Sequence, residues 1–359
     1  MSEKNKTVFV GLSGGVDSSV AALRLLKQGY NVVGVFIKVW HPDWLKCNWE
    51  AERLDAMRVA ARLKIKFLTC DAEQAYKDGV ADYFIREYSA GRTPNPDVMC
   101  NKHVKFGTFL KFAIDQGADY IATGHYARRT EVTNGEGVKK FQLNRGLDND
   151  KDQSYFLWTL TQEQLARTLF PIGDTEKSQV RKEAKKAGLL TASKKDSQGI
   201  CFLGHIDIAQ FLSHYIDLEP GEVLDMTGKI IGHHNGAMIY TTGQRHGFTI
   251  TTKDEQRQPY YVIDRDLTKN TITVGNILPT LNESDVLKVI EVNLIEEDLG
   301  IPSEIEVQTR YRQKPNLFSV TKEDKDLILR PKSEIDSVSS GQSCVFYSGS
   351  QCLGGGIIK

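Results

Sequence analysis

Apolar residues run almost unbroken through the first third of the chain and alternate through the last, and this change of texture divides it. Thr7 to Leu12 and Asn31 to Val39 are nearly continuous apolar runs, the pattern of strands buried on both faces of a parallel sheet. Between them Val20 to Gln28 has the amphipathic spacing of a helix, closed by Gly29. The pattern repeats: Leu54, Met57, Ala61 and Leu63 mark a second helix, Phe67 to Thr69 a strand, Val80, Phe84 and Tyr88 a third helix, and Tyr120 to Thr123 another strand. Such alternation predicts an α/β fold with a doubly wound parallel sheet and ligands at the carboxyl ends of its strands. From Tyr126 come short strands with a turn at Asn134-Gly135, then helical stretches at Gln162 to Leu169 and Glu176 to Ala187. A helix from Ile206 to Tyr215 leads into hairpin-like runs at Gly221 to Asp225, Lys229 to His233, Tyr260 to Asp264 and Thr271 to Gly275. From Val286 onward period-two alternation in about six short runs predicts a small closed barrel. Trp40 to Glu50 fits neither period and reads as an ordered loop.

The first strand delivers, and the first helix carries away, Ser13-Gly14-Gly15-Val16-Asp17-Ser18-Ser19. Adjacent glycines permit a tight turn and close backbone approach to a ligand, and the first N–H groups of the helix favour an anion, so a phosphate belongs there. A Walker A loop needs a lysine before its Ser/Thr; Val16-Asp17 stands in that place. The string SGGVDSS instead resembles the PP-loop of the ATP pyrophosphatase family, whose members hold ATP by its pyrophosphate while a substrate attacks the α-phosphorus.

Bulk composition narrows the partners. The 359 residues carry 46 Lys and Arg against 46 Asp and Glu, so any polyanion site is a local patch. One candidate lies between Asp174 and Lys195, with seven basic residues against three acidic; Lys177, Arg181 and Lys185 recur at i, i+4 and stripe one helix face. A solvated face is the ordinary reading of such a stripe, and its place before Cys201 favours an RNA-facing one. No run approaches the roughly 18 apolar residues of a membrane span and the first residues are polar, so a cytoplasmic protein is expected. The six cysteines, at 47, 70, 100, 201, 344 and 352, form no CxxC pair, and no metal site is expected among them.

Two of those thiols stand in polar loops. Arg92 to Asn101 (RTPNPDVMCN) carries two prolines that stiffen the presentation of Asp97 and Cys100. A helix starting at Cys100 is expected to lower its pKa, with Lys102 and Lys105 adding positive field, and Asp97 is placed to accept or return a proton. Cys201 lies in Lys195 to Phe202 (KDSQGICF), before a helix. Cys47, Cys70, Cys344 and Cys352 read as small buried apolar residues.

Together SGGVDSS, GRTPNPDVMCN, ATGHYAR, DKDQSYFL, KDSQGICF, YTTGQRHGF, RYRQKP and CLGGGII resemble the tRNA-specific 2-thiouridylase family, in order and over nearly the whole chain. The resemblance implies a PP-loop catalytic domain at 1–205, a central mixed α/β domain at 206–280 and a β-barrel at 281–359. It places ATP on Gly11, Leu12, Ser13, Gly14, Gly15, Val16, Asp17 and Ser18, with Ile37 and Gly124, and the target base on Asn95, Pro96 and Asp97. By the same resemblance Cys100 is the nucleophile, Cys201 the persulfide carrier and partner of Cys100 in a disulfide, and His125, Lys151, Asp152, Gln153, Arg310, Tyr311 and Gln342 contact tRNA. The implied reaction adenylates O2 of the wobble uridine with ATP, Mg²⁺ neutralising charge, and replaces it by persulfide sulfur. Implied partners are tRNAs of the Lys, Glu and Gln acceptors and a persulfide donor, a cysteine desulfurase or relay protein. A PP-loop ligase amidating a small molecule is the rival reading; it needs neither thiols nor barrel.

Overall fold

The computed structural model describes residues 5–45, 49–133, 137–195, 207–252, 258–296 and 300–359; Cys47 and Cys201 lie outside them. Five parallel strands form the first sheet: β1 (Thr7–Gly11), β2 (Asn31–Lys38), β3 (Lys66–Asp71), β4 (Tyr120–Ala122) and, after a hairpin of β5 (Ala127–Thr133) and β6 (Lys139–Arg145), β7 (Thr168–Leu169). Their order is β3-β2-β1-β4-β7, so the chain reverses direction across the sheet between β1 and β4. Alternate residues of β1 and β2 feed different cores: Val8, Val10, Val32 and Phe36 pack on one face, Phe9, Val33, Val35 and Ile37 on the other. That two-sided burial is why these strands read as unbroken apolar runs.

Around the sheet lie α1 (Val16–Gln28), α2 (Trp49–Leu63), α3 (Glu73–Tyr76), α4 (Asp82–Ser89), α5 (Pro96–Met99), α6 (Phe109–Asp115), α7 (Gln162–Ala166) and α8 (Lys177–Lys186). Widened π-helical segments, Lys77–Ala81 and Cys100–Thr108, join α3 to α4 and α5 to α6. Three expectations shift. The buried face of α2 is Ala56, Val59 and Ala60, with Leu54 and Met57 exposed; near Ala56 the helix lies directly against Gly14. The stretch ending at Leu169 is helical only to Ala166. Thr161 opens it with a capping box, and Thr168 and Leu169 then pair with Ile121 and Ala122 as the sheet's edge. Finally, the helix bearing Cys100 begins at Pro96.

The middle unit starts with α9 (Ile208–Leu212), whose Phe211 and Leu212 pack on Phe84 and Tyr88 of α4. Its sheet comprises β8 (Gly221–Leu224), β9 (Ile230–His234), β10 (Thr249–Ile250), β11 (Tyr261–Asp266) and β12 (Thr271–Gly275), in the order β10-β9-β8-β12-β11. The loop after β2 also reaches this unit: the Trp44 ring stacks on His214 with centroids 3.7 Å apart. A two-stranded ribbon of β13 (Thr280–Leu281) and β18 (Ile335–Asp336) borders the last unit. Six strands close the expected barrel: β14 (Leu287–Leu294), β15 (Glu304–Gln308), β16 (Asn316–Glu323), β17 (Asp326–Pro331), β19 (Ser343–Ser348) and β20 (Gln351–Ile358), with β14 pairing back to β20.

The Gly354-Gly355-Gly356 run makes this closure possible. A Cβ at Gly354 would lie 2.0 Å from Asn293 O, one at Gly355 2.9 Å from the Trp158 ring, and one at Gly356 2.4 Å from Val289. Unforeseen from sequence, the β5–β6 hairpin adds to β20 through the pairs Asn144–Gln351 and Leu143–Cys352, so the first unit is welded to the barrel.

Candidate active site

The phosphate loop leaves the carboxyl end of β1, beside the point where strand order reverses, the position at which open α/β sheets bind ligands. Gly14 adopts φ +70°, and a side chain there would meet Glu52 O at 2.8 Å and Asp55 Cβ at 3.0 Å. Gly15 is the N-cap of α1 and supplies no side-chain cap, so the helix opens with its first N–H groups uncapped. The hydroxyls turn inward: Ser18 Oγ accepts from Ser13 N at 3.3 Å, and Ser19 Oγ donates to Gly15 O at 2.7 Å. Leu12 and Val16 are buried and anchor the loop's two ends. A loop of this shape, with backbone donors and no side chain at its bend, fits a pyrophosphate group.

Ile37, at the end of β2, is buried, and its Cδ1 lies 3.6 Å from a Cβ placed on Gly11. Gly124 follows β4 and touches the first turn of α1 so closely that an added Cβ would be 2.7 Å from Ser18 N. The next residues build outward from that contact. His125 is buried; its Nδ1 pairs with Thr123 Oγ1 at 2.8 Å and its Nε2 with Lys105 Nζ at 3.5 Å. Burial, then the Lys105 charge, holds the imidazole well below its usual pKa, so the ring is neutral. The Tyr126 hydroxyl donates to Asp17 Oδ1 at 2.8 Å.

Asp97 and Cys100 ride on the helix that starts at Pro96, capped by Asn95, whose Oδ1 accepts from Val98 N at 3.3 Å. Cys100 therefore stands in the second turn and its N–H donates back to Pro96 and Asp97. The field of a helix terminus fades within a turn, so the expected lowering of its pKa by a helix N-terminus does not apply at the place foreseen. Cys100 is buried among Val98, Val104, Tyr155 and Leu157. The preceding loop is held by all three units. Arg92 makes a bidentate pair with Glu87 at 2.6 and 2.9 Å, and Thr93 N donates to Ser340 O at 2.8 Å. Thr93 Oγ1 pairs with Thr241 Oγ1 at 3.0 Å, Gln342 Nε2 donates to Thr93 O at 3.0 Å, and Arg265 Nη2 donates to Gly91 O at 2.8 Å.

Residues expected at the RNA surface divide. Asp152 is turned inward: it accepts from Arg145 Nη1 at 3.1 Å, Gly146 N at 2.9 Å, and Ser154 N and Oγ at 3.1 and 3.0 Å. Arg145 also reaches Gln308 and lies 3.5 Å over the Tyr347 ring, which ties the first unit to the barrel. Gln153 braces Tyr126, accepting from its N–H at 3.0 Å. Lys151 is half-buried beside them. Arg310 joins the middle unit to the barrel through Thr242 O (3.1 Å) and Ser337 O (3.3 Å), and Tyr311 packs on Phe156. Of the basic stripe Lys185 is exposed, while the other two turn inward. Lys177 binds Asp17, and Arg181 donates to Ala192 O and Lys194 O at 3.0 and 2.9 Å. Sequence reasoning missed this Lys177–Asp17–Tyr126 cluster, whose only trace was the i, i+4 repeat.

Among the described residues the thiols read as inert, Cys70, Cys344 and Cys352, are buried: burial pushes Cys70 up to about 11 and Cys352 up to about 12, and raises Cys344 further. Among the described residues no group of three or more His, Cys, Asp or Glu is arranged to hold a metal ion.

A parallel α/β sheet with a phosphate loop lacking the Walker lysine, joined to a β-rich middle unit and a closed barrel, defines a PP-loop type enzyme with two accessory units. Residues 6–205 match the family model of the tRNA methyl transferase HUP domain, 209–276 the tRNA methyl transferase PRC-barrel domain, and 284–358 the Aminomethyltransferase beta-barrel domain. The chain is 47% identical over 366 residues to tRNA-specific 2-thiouridylase MnmA of Klebsiella pneumoniae, covering 100% of this chain and 98% of that protein. With the protein of the same name from Proteus mirabilis it shares 46% over 361 residues, 99% of this chain and 97% of the other. The chain belongs to the tRNA-specific 2-thiouridylase family. A solved 4-thiouridine synthetase–RNA complex with bound ATP is a distant likeness, with TM-score 0.35 and 20% identity over 55% of this chain and 45% of that one.

Proposed function

We propose that the chain replaces O2 of the wobble uridine of tRNA with sulfur, spending ATP to turn a carbonyl oxygen into a leaving group. The observation that carries the reading is the short span Gly124-His125: Gly124 rests on the phosphate-loop helix while His125 touches Lys105 of the helix that bears Asp97 and Cys100. Adenylation and sulfur transfer then share one wall. O2 attacks the α-phosphorus and the bond to pyrophosphate breaks, the released group resting on the N–H groups after Gly14 and Gly15. Mg²⁺ supplies charge neutralisation to such a transfer. Asp97, on its rigid loop, holds or moves the proton of the uracil ring.

Sulfur arrives as a persulfide on Cys201. In one route its terminal sulfur attacks C2, AMP leaves with O2, and the Cys100 thiolate attacks Cys201 Sγ, freeing 2-thiouridine. In the other, Cys100 first displaces hydrosulfide, which attacks C2. Both end in a Cys100–Cys201 disulfide that a thiol reductant must reopen. The tRNA substrates are those of the Lys, Glu and Gln acceptors, and the donor is a cysteine desulfurase or relay protein.

Mass spectrometry of nucleosides from unmodified tRNA, incubated with the protein, ATP, Mg²⁺ and a persulfide donor, tests this. The expected products are 2-thiouridine, AMP and pyrophosphate, with pyrophosphate release kept and thiolation lost in Cys201→Ser. Ammonia-dependent consumption of ATP without any thiolated nucleoside would sink the reading.

A further inference from the structure

We infer that Lys177 is a nucleotide-contacting residue whose ammonium binds phosphate oxygens of ATP, doing from a distant helix what the Walker lysine does from within its loop. The inference rests on the ATP chemistry proposed above. Lys177 Nζ lies 2.8 and 2.7 Å from the two oxygens of Asp17, in the first turn of the helix that the phosphate loop feeds. Its side chain is only 11% exposed, and its ammonium stands 5.6 Å over the Tyr126 ring. The backbone N–H of Lys177 donates to Asp148 Oδ2 at 2.9 Å, which fixes the start of α8. The Asp17 and Tyr126 contacts hold the ammonium beside the first turn of α1, where the phosphate loop ends.

Two plainer roles fit less well. A structural latch between α1 and α8 already exists without it. Arg24 of α1 binds Glu183 of α8 through Nε and Nη2 at 3.1 and 2.7 Å, and just beyond α8 Thr191 Oγ1 donates to Ser19 Oγ at 3.1 Å. An RNA contact would need the long side chain outside, where its rotamer entropy is retained; here it is folded inward. There is also a charge argument. A triphosphate entering beside Asp17 meets a carboxylate, and like charges a few ångströms apart repel unless a cation stands between them. Lys177 is that cation, and its three donors let it hold Asp17 and a phosphate oxygen at once.

The test compares full-length wild type, Lys177→Met and Lys177→Arg, checked as folded by near-ultraviolet circular dichroism. ATP binding by titration calorimetry and tRNA binding by filter retention are measured on each. Losing a charge-assisted contact should weaken ATP binding about 10- to 100-fold, leave tRNA affinity and its salt slope unchanged, and be largely rescued by arginine. Unchanged ATP affinity in Lys177→Met would reduce the pair to a latch. Weakened tRNA binding with a shallower salt slope and intact ATP affinity would return Lys177 to the RNA surface. A wild-type protein that binds no ATP would overturn the proposed function along with this inference. If Lys177→Met does not fold, acetylation of wild-type lysines read by peptide mass spectrometry decides instead: ATP, and not tRNA alone, should protect Lys177.

Discussion

Replacing Gly124 by alanine should disable the phosphate loop while leaving the protein folded. A Cβ at this position would lie 2.7 Å from Ser18 N, 2.9 Å from the Asp17 carbonyl carbon and 3.0 Å from Asp17 Cβ. Comfortable contact begins near 3.5 Å, so the end of β4 and the first turn of α1 must part by roughly 0.5 to 0.8 Å. Neither side yields easily. β4 is hydrogen-bonded between β1 and β7, and α1 is tied to α8 by Arg24. Overpacking of this kind costs about 1–3 kcal/mol, which a large domain survives. The catalytic loss should be greater, because the N–H groups facing the pyrophosphate move with the helix, and misplacement on the order of 1 Å can cost about 100-fold. ATP–pyrophosphate exchange in the presence of tRNA reads the chemistry and thermal unfolding reads the fold. Wild-type exchange and an unmoved unfolding midpoint in Gly124→Ala would refute the close-approach argument.

Asp152→Ala should destabilise the join between the first unit and the barrel by about 1–3 kcal/mol, since it leaves the buried N–H groups of Gly146 and Ser154 without their acceptor and removes one partner of the half-buried Arg145; urea denaturation measures it, and a loss below 1 kcal/mol would return Asp152 to the surface. His125 has a folded pKa below its unfolded value, so the unfolded chain binds the extra proton. Stability complete above about pH 6.5 should therefore fall on acidification by about 1.4 kcal/mol per pH unit per proton, and His125→Asn should flatten that part of the slope in urea titrations at pH 7.5 and 5. Arg310→Ala should lower the slope of log tRNA affinity against log salt by about 0.7 to 0.9 if Arg310 meets a phosphate; an unchanged slope in filter binding would leave it a bridge between Thr242 and Ser337. Charge reversal at Arg181 should lower thermal stability, because its carbonyl partners at Ala192 and Lys194 are lost, and leave that salt slope alone.

By itself the sequence determined what depends on neighbours in the chain. Two-sided apolar runs require a buried parallel sheet, SGGVDSS requires a tight loop opening a helix, and six alternating runs require a closed β unit. Local chemistry was legible for the same reason: Gly14 had to be glycine for its φ of +70°, and the prolines of RTPNPD had to stiffen a loop. What periodicity could not reach was the direction in which long polar side chains turn. Lys177 and Arg181 sit on a face that looks solvated in sequence, yet the packing of α8 against α1 directs one to Asp17 and the other to backbone carbonyls. Asp152 belongs to a motif that resembles an RNA contact, yet the hairpin joining β20 buries it under Arg145. The boundary at Leu169 and the start of the Cys100 helix moved because a β4 edge needed a partner and Asn95 provided a cap. Tertiary structure decided these because a charge or a strand edge is satisfied by whatever group lies opposite, and that group comes from a distant part of the chain.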